Sequence, residues 1–416
     1  MASARKAATF LHMGTSPLDV LIVGAGPAGA ATAWHLARAG LSVQLVDRAR
    51  FPRDKPCSEY LSPEAVRHLD RLGVLARVEP EGAPIHGTMV VGPRGATLTG
   101  RFAGTAVAPW RDTGLAIARR VLDHALVQVA AGAGARLREG LAIEALLHEQ
   151  GGVAGAVLRD AAGRRETVRA RLVIGADGLR SVVARRLGGA ATGGLERIAF
   201  VAHVAGVAGL EGITEMHVGD AGYVGLNRLT RDGVANVALV VPARRAAAAR
   251  GGAARFFFEE LARYPGVRGR VDPARVTRRV LVTGPFAARA QRVVADGALL
   301  VGDAADFFDP FTGEGICSAL RGAELAAAAA VTALAHPGPV TRHALAPYLQ
   351  ARRAAFLGRW TIERLVGYGM LAPRLFNRAV GRLHRHGLAD TFIGVTGDII
   401  PARAVLNPWF LSRMVL

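Results

Sequence analysis

An α/β fold built on parallel strands is what this sequence predicts, and three widely separated segments predict it. Asp19-Val20-Leu21-Ile22-Val23 runs straight into Gly24-Ala25-Gly26-Pro27-Ala28-Gly29. Leu172-Val173-Ile174 leads into Gly175-Ala176-Asp177-Gly178, and Ala298-Leu299-Leu300-Val301 leads into Gly302-Asp303. A short, unbroken apolar run closed by glycine is the pattern of a strand covered on both faces, as strands of parallel sheets are.

The first segment carries the most chemistry. Ala28 to Ala39 are good helix formers stopped by Gly40, and a second apolar strand, Leu41 to Val46, ends in Asp47. Gly24 makes the tight turn, Gly26 lets the backbone approach a pyrophosphate, and Gly29 lets helix and strand pack closely. Pro27 and Ala28 open a helix whose N-terminus would face the phosphates with its partial positive charge. Asp47, roughly twenty residues on, can accept hydrogen bonds from a ribose diol, and Arg48 follows it. The unit is Rossmann-like.

The later segments repeat the pattern. Asp177-Gly178 is followed by Ser181 and a helical stretch. Gly302-Asp303 continues through Asp309-Pro310-Phe311-Thr312-Gly313-Glu314-Gly315-Ile316 into a long alanine-rich helix. A strand ending at Asp303 delivers a carboxylate to a place where a cofactor's ribityl hydroxyls can bind. The turn before the helix aims backbone N–H groups at one spot, which would stabilise negative charge on a reduced flavin.

Composition narrows the class. The chain has 416 residues and is 51% apolar, enough for a large core in two joined domains. Its formal charge of +19 comes from arginines spread along the whole chain, without interleaved stacking aromatics, so no nucleic-acid surface is expected. Cys57 and Cys317 show neither metal-ligand spacing nor a disulfide framework, which points to a reducing cytoplasm. The first seventeen residues lack the long apolar block of a secretory signal. Arg321 and Glu324 interrupt the most apolar stretch, 319–335, so no membrane span is expected.

These motifs, in this order, resemble the flavoprotein superfamily of p-hydroxybenzoate hydroxylase-type ring hydroxylases, geranylgeranyl reductases and flavin-dependent halogenases. The resemblance covers residues from about 19 to about 335 and adds Arg119, which stands ahead of Leu122-Asp123 as the family's FAD-contacting arginine does. It implies FAD as cofactor, NADPH or NADH as electron donor, and a p-hydroxybenzoate hydroxylase-type FAD-binding fold. It also implies a discontinuous FAD domain over 17–80, 107–190 and 283–335. An inserted mixed β-sheet substrate domain is placed at 81–106 and 191–282, with strands at Ala199–Val207, Thr214–Val218 and Val234–Val241. Residues 336–416 are expected to form a helical cap, with Phe356, Trp360, Leu365, Met370, Leu375 and Phe376 over the substrate cavity.

Phe51-Pro52-Arg53-Asp54-Lys55-Pro56-Cys57-Ser58 is similar to the reductase and halogenase branches, where Lys-Pro-Cys-Gly is usual and the cysteine lies near the flavin ring. Against the reductases, Gly222-Tyr223-Val224-Gly225-Leu226-Asn227 replaces their Tyr-x-Trp-x-Phe-Pro stretch. Against the halogenases, their Trp-x-Trp-x-Ile-Pro motif is missing and no lysine follows Lys55. Candidates for a catalytic role are Cys57, His217 and Tyr223, with His203 and Asn227 near them in sequence. Each has a duller reading as core or solvent-facing. Ile213, Glu215 and His217 would share one strand face.

Two activities follow from the resemblance. The first is a monooxygenase that hydroxylates or epoxidises a lipophilic aromatic, polyketide or isoprenoid-type substrate through a C4a-hydroperoxyflavin. The second is a reductase of prenyl double bonds. A non-enzymatic flavin-binding regulator is disfavoured for want of an output module. Arg353, Arg359, Arg364, Arg374, Arg378 and Arg413, interspersed with bulky apolar residues and Trp409-Phe410-Leu411, suggest peripheral contact with an anionic membrane.

Overall fold

The computed structural model describes residues 18–415; the N-terminal segment read for a secretory signal lies outside the described residues. Five parallel strands lie in the order Arg136–Glu139, Val43–Asp47, Leu18–Val23, Arg165–Gly175 and Ala298–Leu300. Val20 and Ile22 face the helices Pro27–Arg38, Arg119–Gly132 and Gly315–Leu334. Leu21 and Val23 face the hairpin Leu141–Glu149/Gly152–Asp160 and the helix Val182–Leu187. The unbroken apolar run is thus explained, since both faces are covered. The second strand begins at Val43 rather than Leu41, because Ser42 turns aside to bond the Asp19 carboxylate at 2.8 Å.

The alanine-rich helix Gly315–Leu334 is long and apolar enough to cross a membrane. Ala323, Ala326 and Ala330 are nonetheless fully buried, and their small side chains belong to the same core as the helix Pro27–Arg38. Arg321 and Glu324 pair with each other at its flank. It is a core helix.

The second sheet has seven strands, in the order Val276–Thr283, Arg197–Ala205, Val234–Pro242, Gly222–Arg228, Ile213–Gly219, Gly87–Val91 and Thr97–Arg101. Gly222–Arg228, which carries no strand signal of its own, is its middle strand, held by Val234–Pro242 on one side and Ile213–Gly219 on the other. Four helices, Ala346–Gly369, Pro373–Arg385, Ala389–Thr396 and Pro408–Val415, form the C-terminal region. None of the six residues expected over the substrate cavity lines its main space. Among the described residues the cavity wall ends at Ala319. Phe356 and Trp360 line a small recess that shares Asp303, Phe307, Thr312 and Gly315 with the cavity, Met370 is buried, Leu365 and Leu375 point outward, and Phe376 stands edge-on behind Phe311, which does line the cavity. The helices Pro373–Arg385 and Ala389–Thr396 lie against the outer strand Thr97–Arg101, and Ile362, Val380, Leu383 and Ile393 join a core cluster that also holds the cavity-lining Met216 and Tyr223.

Candidate active site

A cavity of about 690 Å³ opens at the carboxyl ends of the parallel strands and extends along one face of the second sheet. That is where ligands of doubly wound sheets sit, and its size suits a small organic molecule or cofactor.

At one end the glycine turn shapes the wall. Gly24 has φ +99°, and a Cβ there would meet the Ala176 carbonyl oxygen at 2.4 Å. A Cβ on Gly29 would lie 1.8 Å from the Gly24 oxygen, so this glycine serves helix–strand contact and does not face the cavity. Gly302 also stands behind the wall, against Ala28. Gly26 is the open position: a Cβ there would come within 3.8 Å of the Arg53 guanidinium and 3.9 Å of Arg119's. The helix Pro27–Arg38 has no side-chain cap at its start and no acid in its first turn, so its leading N–H groups are unpaired by side chains. Two guanidiniums, a bare backbone and a free helix start fit a diphosphate. Beside them, Asp47 accepts from the Ala25 and Ala49 N–H groups, each at 2.8 Å, and each carboxylate oxygen keeps a lone pair for a ribose hydroxyl. Arg48 lines the same region.

Arg53 and Asp123 escape the sequence reading as site residues. Asp123, fully buried, accepts from Arg53 at 2.9 Å and from Arg119 at 2.7 and 2.8 Å. The available signal is the spacing of Arg119 and Asp123, four apart on one helix.

At the other end stand Asp303, Pro310, Gly313, Gly315 and Ile316. Burial pushes the Asp303 carboxyl above its ordinary pKa, against the opposing charges of Lys55 and Arg119. Gly313 has φ +74°, and a Cβ there would meet the Tyr60 ring at 2.7 Å. The helix Gly315–Leu334 begins here without a side-chain cap. Glu314, buried behind the wall, accepts from the Ser62 hydroxyl at 3.0 Å, and burial raises its pKa to about 8. Asp177 also lines the cavity, but it is occupied otherwise: it accepts from the Ser181 hydroxyl at 2.5 Å and the Val182 N–H at 2.6 Å, and so caps the helix Val182–Leu187.

The catalytic candidates separate. Cys57 and Tyr223 line the cavity. The Tyr223 hydroxyl donates to Asp309 at 2.8 Å, and Arg197 donates to the same carboxylate at 2.8 Å, so it is the ring of Tyr223 that faces the ligand space. His217 does not line it. Its Nε2 bonds Glu215 at 2.6 Å, Arg270 holds that carboxylate, and this pair takes the strand face opposite to Thr214 and Met216. His203 bonds Glu59, a hub beneath the Cys57 loop that also accepts from the Arg119 N–H at 2.9 Å and Asn236 at 2.7 Å. Burial would raise the Glu59 pKa, but His203, Arg278 and Arg119 hold it below the usual value. Ser58, which stands where the family has glycine, is not among the residues with positive φ; the left-handed backbone falls one residue later, at Glu59 with φ 57°.

The FAD binding domain family matches residues 17–355. A digeranylgeranylglycerophospholipid reductase of Methanosphaerula palustris is 30% identical over 361 residues, 82% of this chain and 83% of the relative. A menaquinone reductase of Mycolicibacterium smegmatis is 37% identical over 175 residues, 41% of this chain and only 40% of that protein's length. Among solved structures, the myxobacterial chondrochloren halogenase superimposes with a TM-score of 0.78 at 22% identity over 92% of both chains, a likeness of fold.

Proposed function

We propose, from the premise that this chain belongs to the FAD binding domain family, that it is an FAD-dependent monooxygenase of a lipophilic, ring-bearing substrate. The family makes it an FAD-dependent oxidoreductase. The reaction rests on one observation: in the stretch that replaces the prenyl reductases' Tyr-x-Trp-x-Phe-Pro, the cavity-lining residues are Tyr223, Gly225 and Asn227, with no tryptophan or phenylalanine among them. A glycine widens the wall and an asparagine makes it polar, which suits a broad, partly polar ring better than a slender prenyl chain.

Bound FAD supplies the redox chemistry. Arg53, Arg119 and the helix start at Pro27 would hold its diphosphate, and Asp47 its ribose. Asp303 would meet its ribityl hydroxyls, and the helix start at Gly315 would favour negative charge at the ring's edge. NADPH or NADH is the donor we assign. The residues of the second sheet orient the substrate and keep water out.

The test is mass spectrometry of products from holoenzyme, NADPH and a panel of lipophilic phenols and prenyl chains, with and without dioxygen. The expected product gains one oxygen atom and forms only in air. A product that gains two hydrogens without dioxygen favours the second reading, a prenyl reductase. That reading is supported by Cys57 of the Lys-Pro-Cys run in the cavity wall and by the archaeal relative.

Peripheral contact with an anionic bilayer through the C-terminal helices is also proposed. Leu357, Leu365, Tyr368, Leu371 and Leu375 are exposed, with Arg353, Arg374 and Arg378 exposed among them. Two residues expected there turn inward: Arg359 bonds Asp398 and Ser318, and Phe410 is buried.

A further inference from the structure

Across the sheet face that borders the cavity runs one line of polar residues; further along the same face the Tyr223 hydroxyl is already bonded to Asp309. Thr88, Thr214, Asn227, Asn236, His203 and Arg278 stand opposite one another on six neighbouring strands. Thr88 faces Thr214, Asn227 faces Asn236, Asn236 faces His203, and His203 faces Arg278; Thr214 lies one step beyond the Glu215–Leu226 pair, opposite Asn227. Directly opposed residues project from the same face. The next row, Val90, Met216, Gly225, Ala238 and Val201, carries no polar side chain.

Partners are unequally shared along this row. At one end, His203, Asn236 and Arg278 converge on Glu59, at 2.5, 2.7 and 3.3 Å; Arg278 keeps Nε and Nη2 unpartnered among the described residues, but it lies outside the cavity wall. In the middle, Asn236 Oδ1, Asn227 Nδ2 and Thr214 Oγ1 have no hydrogen-bond partner among the described residues. The three residues are 0%, 3% and 7% exposed, and all three line the cavity. Burying one such group without a partner is costly, and here three stand side by side. A ligand in the cavity would pair them.

The ligand's chemistry follows from which atoms are left over. Asn236 Nδ2 donates to Glu59 Oε2 and, at 2.9 Å, to the Cys57 carbonyl, which fixes the amide's orientation and leaves Oδ1 as an acceptor. The Asn227 amide has no protein partner among the described residues and turns Nδ2, a donor, to the same place; being unpinned it can follow the ligand. A hydroxyl oxygen meets both demands at one atom. A carboxylate has no hydrogen to give and sets its charge against Asn236 Oδ1, while an ether leaves that acceptor unpaired. We propose that Asn227 and Asn236, assisted by Thr214, recognise a neutral hydroxyl on an otherwise apolar substrate whose body lies along Gly225 and Ala238. This rests on the reading that the cavity takes a lipophilic ligand, and not on which reaction follows.

The test titrates holoprotein with 1-naphthol, 1-methoxynaphthalene and 1-naphthoate, read by the perturbation of bound-flavin absorbance. Naphthol is expected to bind at least about ten-fold more tightly than the other two. Asn236 braces Glu59, so the deciding variant is Asn227→Ala, whose lost donor has no protein partner. It is expected to shrink naphthol's advantage to below about three-fold and to leave the ether's affinity in place. Equal affinities in the unaltered protein, an advantage that survives Asn227→Ala, or no binding of any probe overturns the proposal. Only binding is read. Holoprotein that selects the hydroxyl but makes no oxygenated product sinks the monooxygenase and keeps this site; an oxygenated product without selection does the reverse.

Discussion

Asp123 accepts a hydrogen bond from Arg53 at 2.9 Å, joining the loop after the second strand to the helix Arg119–Gly132 across 70 residues of chain. The same carboxylate fixes Arg119, so one buried acid aims both guanidiniums at the glycine turn.

Asp123→Asn is therefore expected to weaken FAD binding at least about ten-fold, since the amide lacks the charge that both guanidiniums share and turns an NH2 donor towards one of them. Flavin fluorescence quenching in the apoprotein measures it. An unchanged dissociation constant would mean that placement of the arginines does not govern diphosphate binding.

Two strand-end acids should divide in their effects. Asp303→Ala is expected to cost flavin affinity, because Asp303 lines the cavity between Lys55 and Arg119 without capping any helix. Asp177→Ala is expected to cost about 1–2 kcal/mol of stability through the lost helix start, and less affinity. Melting curves and FAD titrations on both variants check this, and equal affinities would contradict it.

Glu314 predicts a pH dependence. Its folded-state pKa is raised from 4.5 to about 8, so the folded chain keeps a proton that the unfolded chain releases. The stability of the apoprotein therefore falls as pH rises through that window, by a few kcal/mol at most on the order-of-magnitude scale of one pKa unit. Glu314→Gln should flatten the fall. Melting temperatures at pH 5 and pH 8 read it out, and an identical pH slope in the variant would refute the assignment.

The exposed C-terminal leucines predict salt-sensitive co-sedimentation with phosphatidylserine-containing vesicles. Each nearby arginine contributes on the order of 1 kcal/mol. Replacing Leu365 and Leu371 together with glutamate should abolish it. If the unaltered protein stays in the supernatant at low salt, the membrane proposal fails.

Much of the cofactor cradle is legible in the chain because strand, turn and helix are a local unit. Gly24, Gly26, Gly29 and Asp47 lie within one βαβ step, where spacing dictates geometry. The strand Gly222–Arg228 is not legible. Its glycines and asparagine lower strand propensity, and only two flanking strands, supplied by tertiary pairing, make it one. The alternation that puts Glu215 and His217 on a common face is legible too, but a period of two cannot say which face meets the ligand.

The sequence by itself determined the class, the glycine turn with its flanking strand and helix, and the order of the motifs, since those depend on neighbours a few residues apart. Tertiary structure alone decided that Asp123 aims two arginines and that Glu59 gathers Arg119 and Arg278 from 60 and 219 residues away. It also aligned six strands into one polar row. Such groups meet only because burial brings distant strands together, and once buried each must find a partner or keep a place for one.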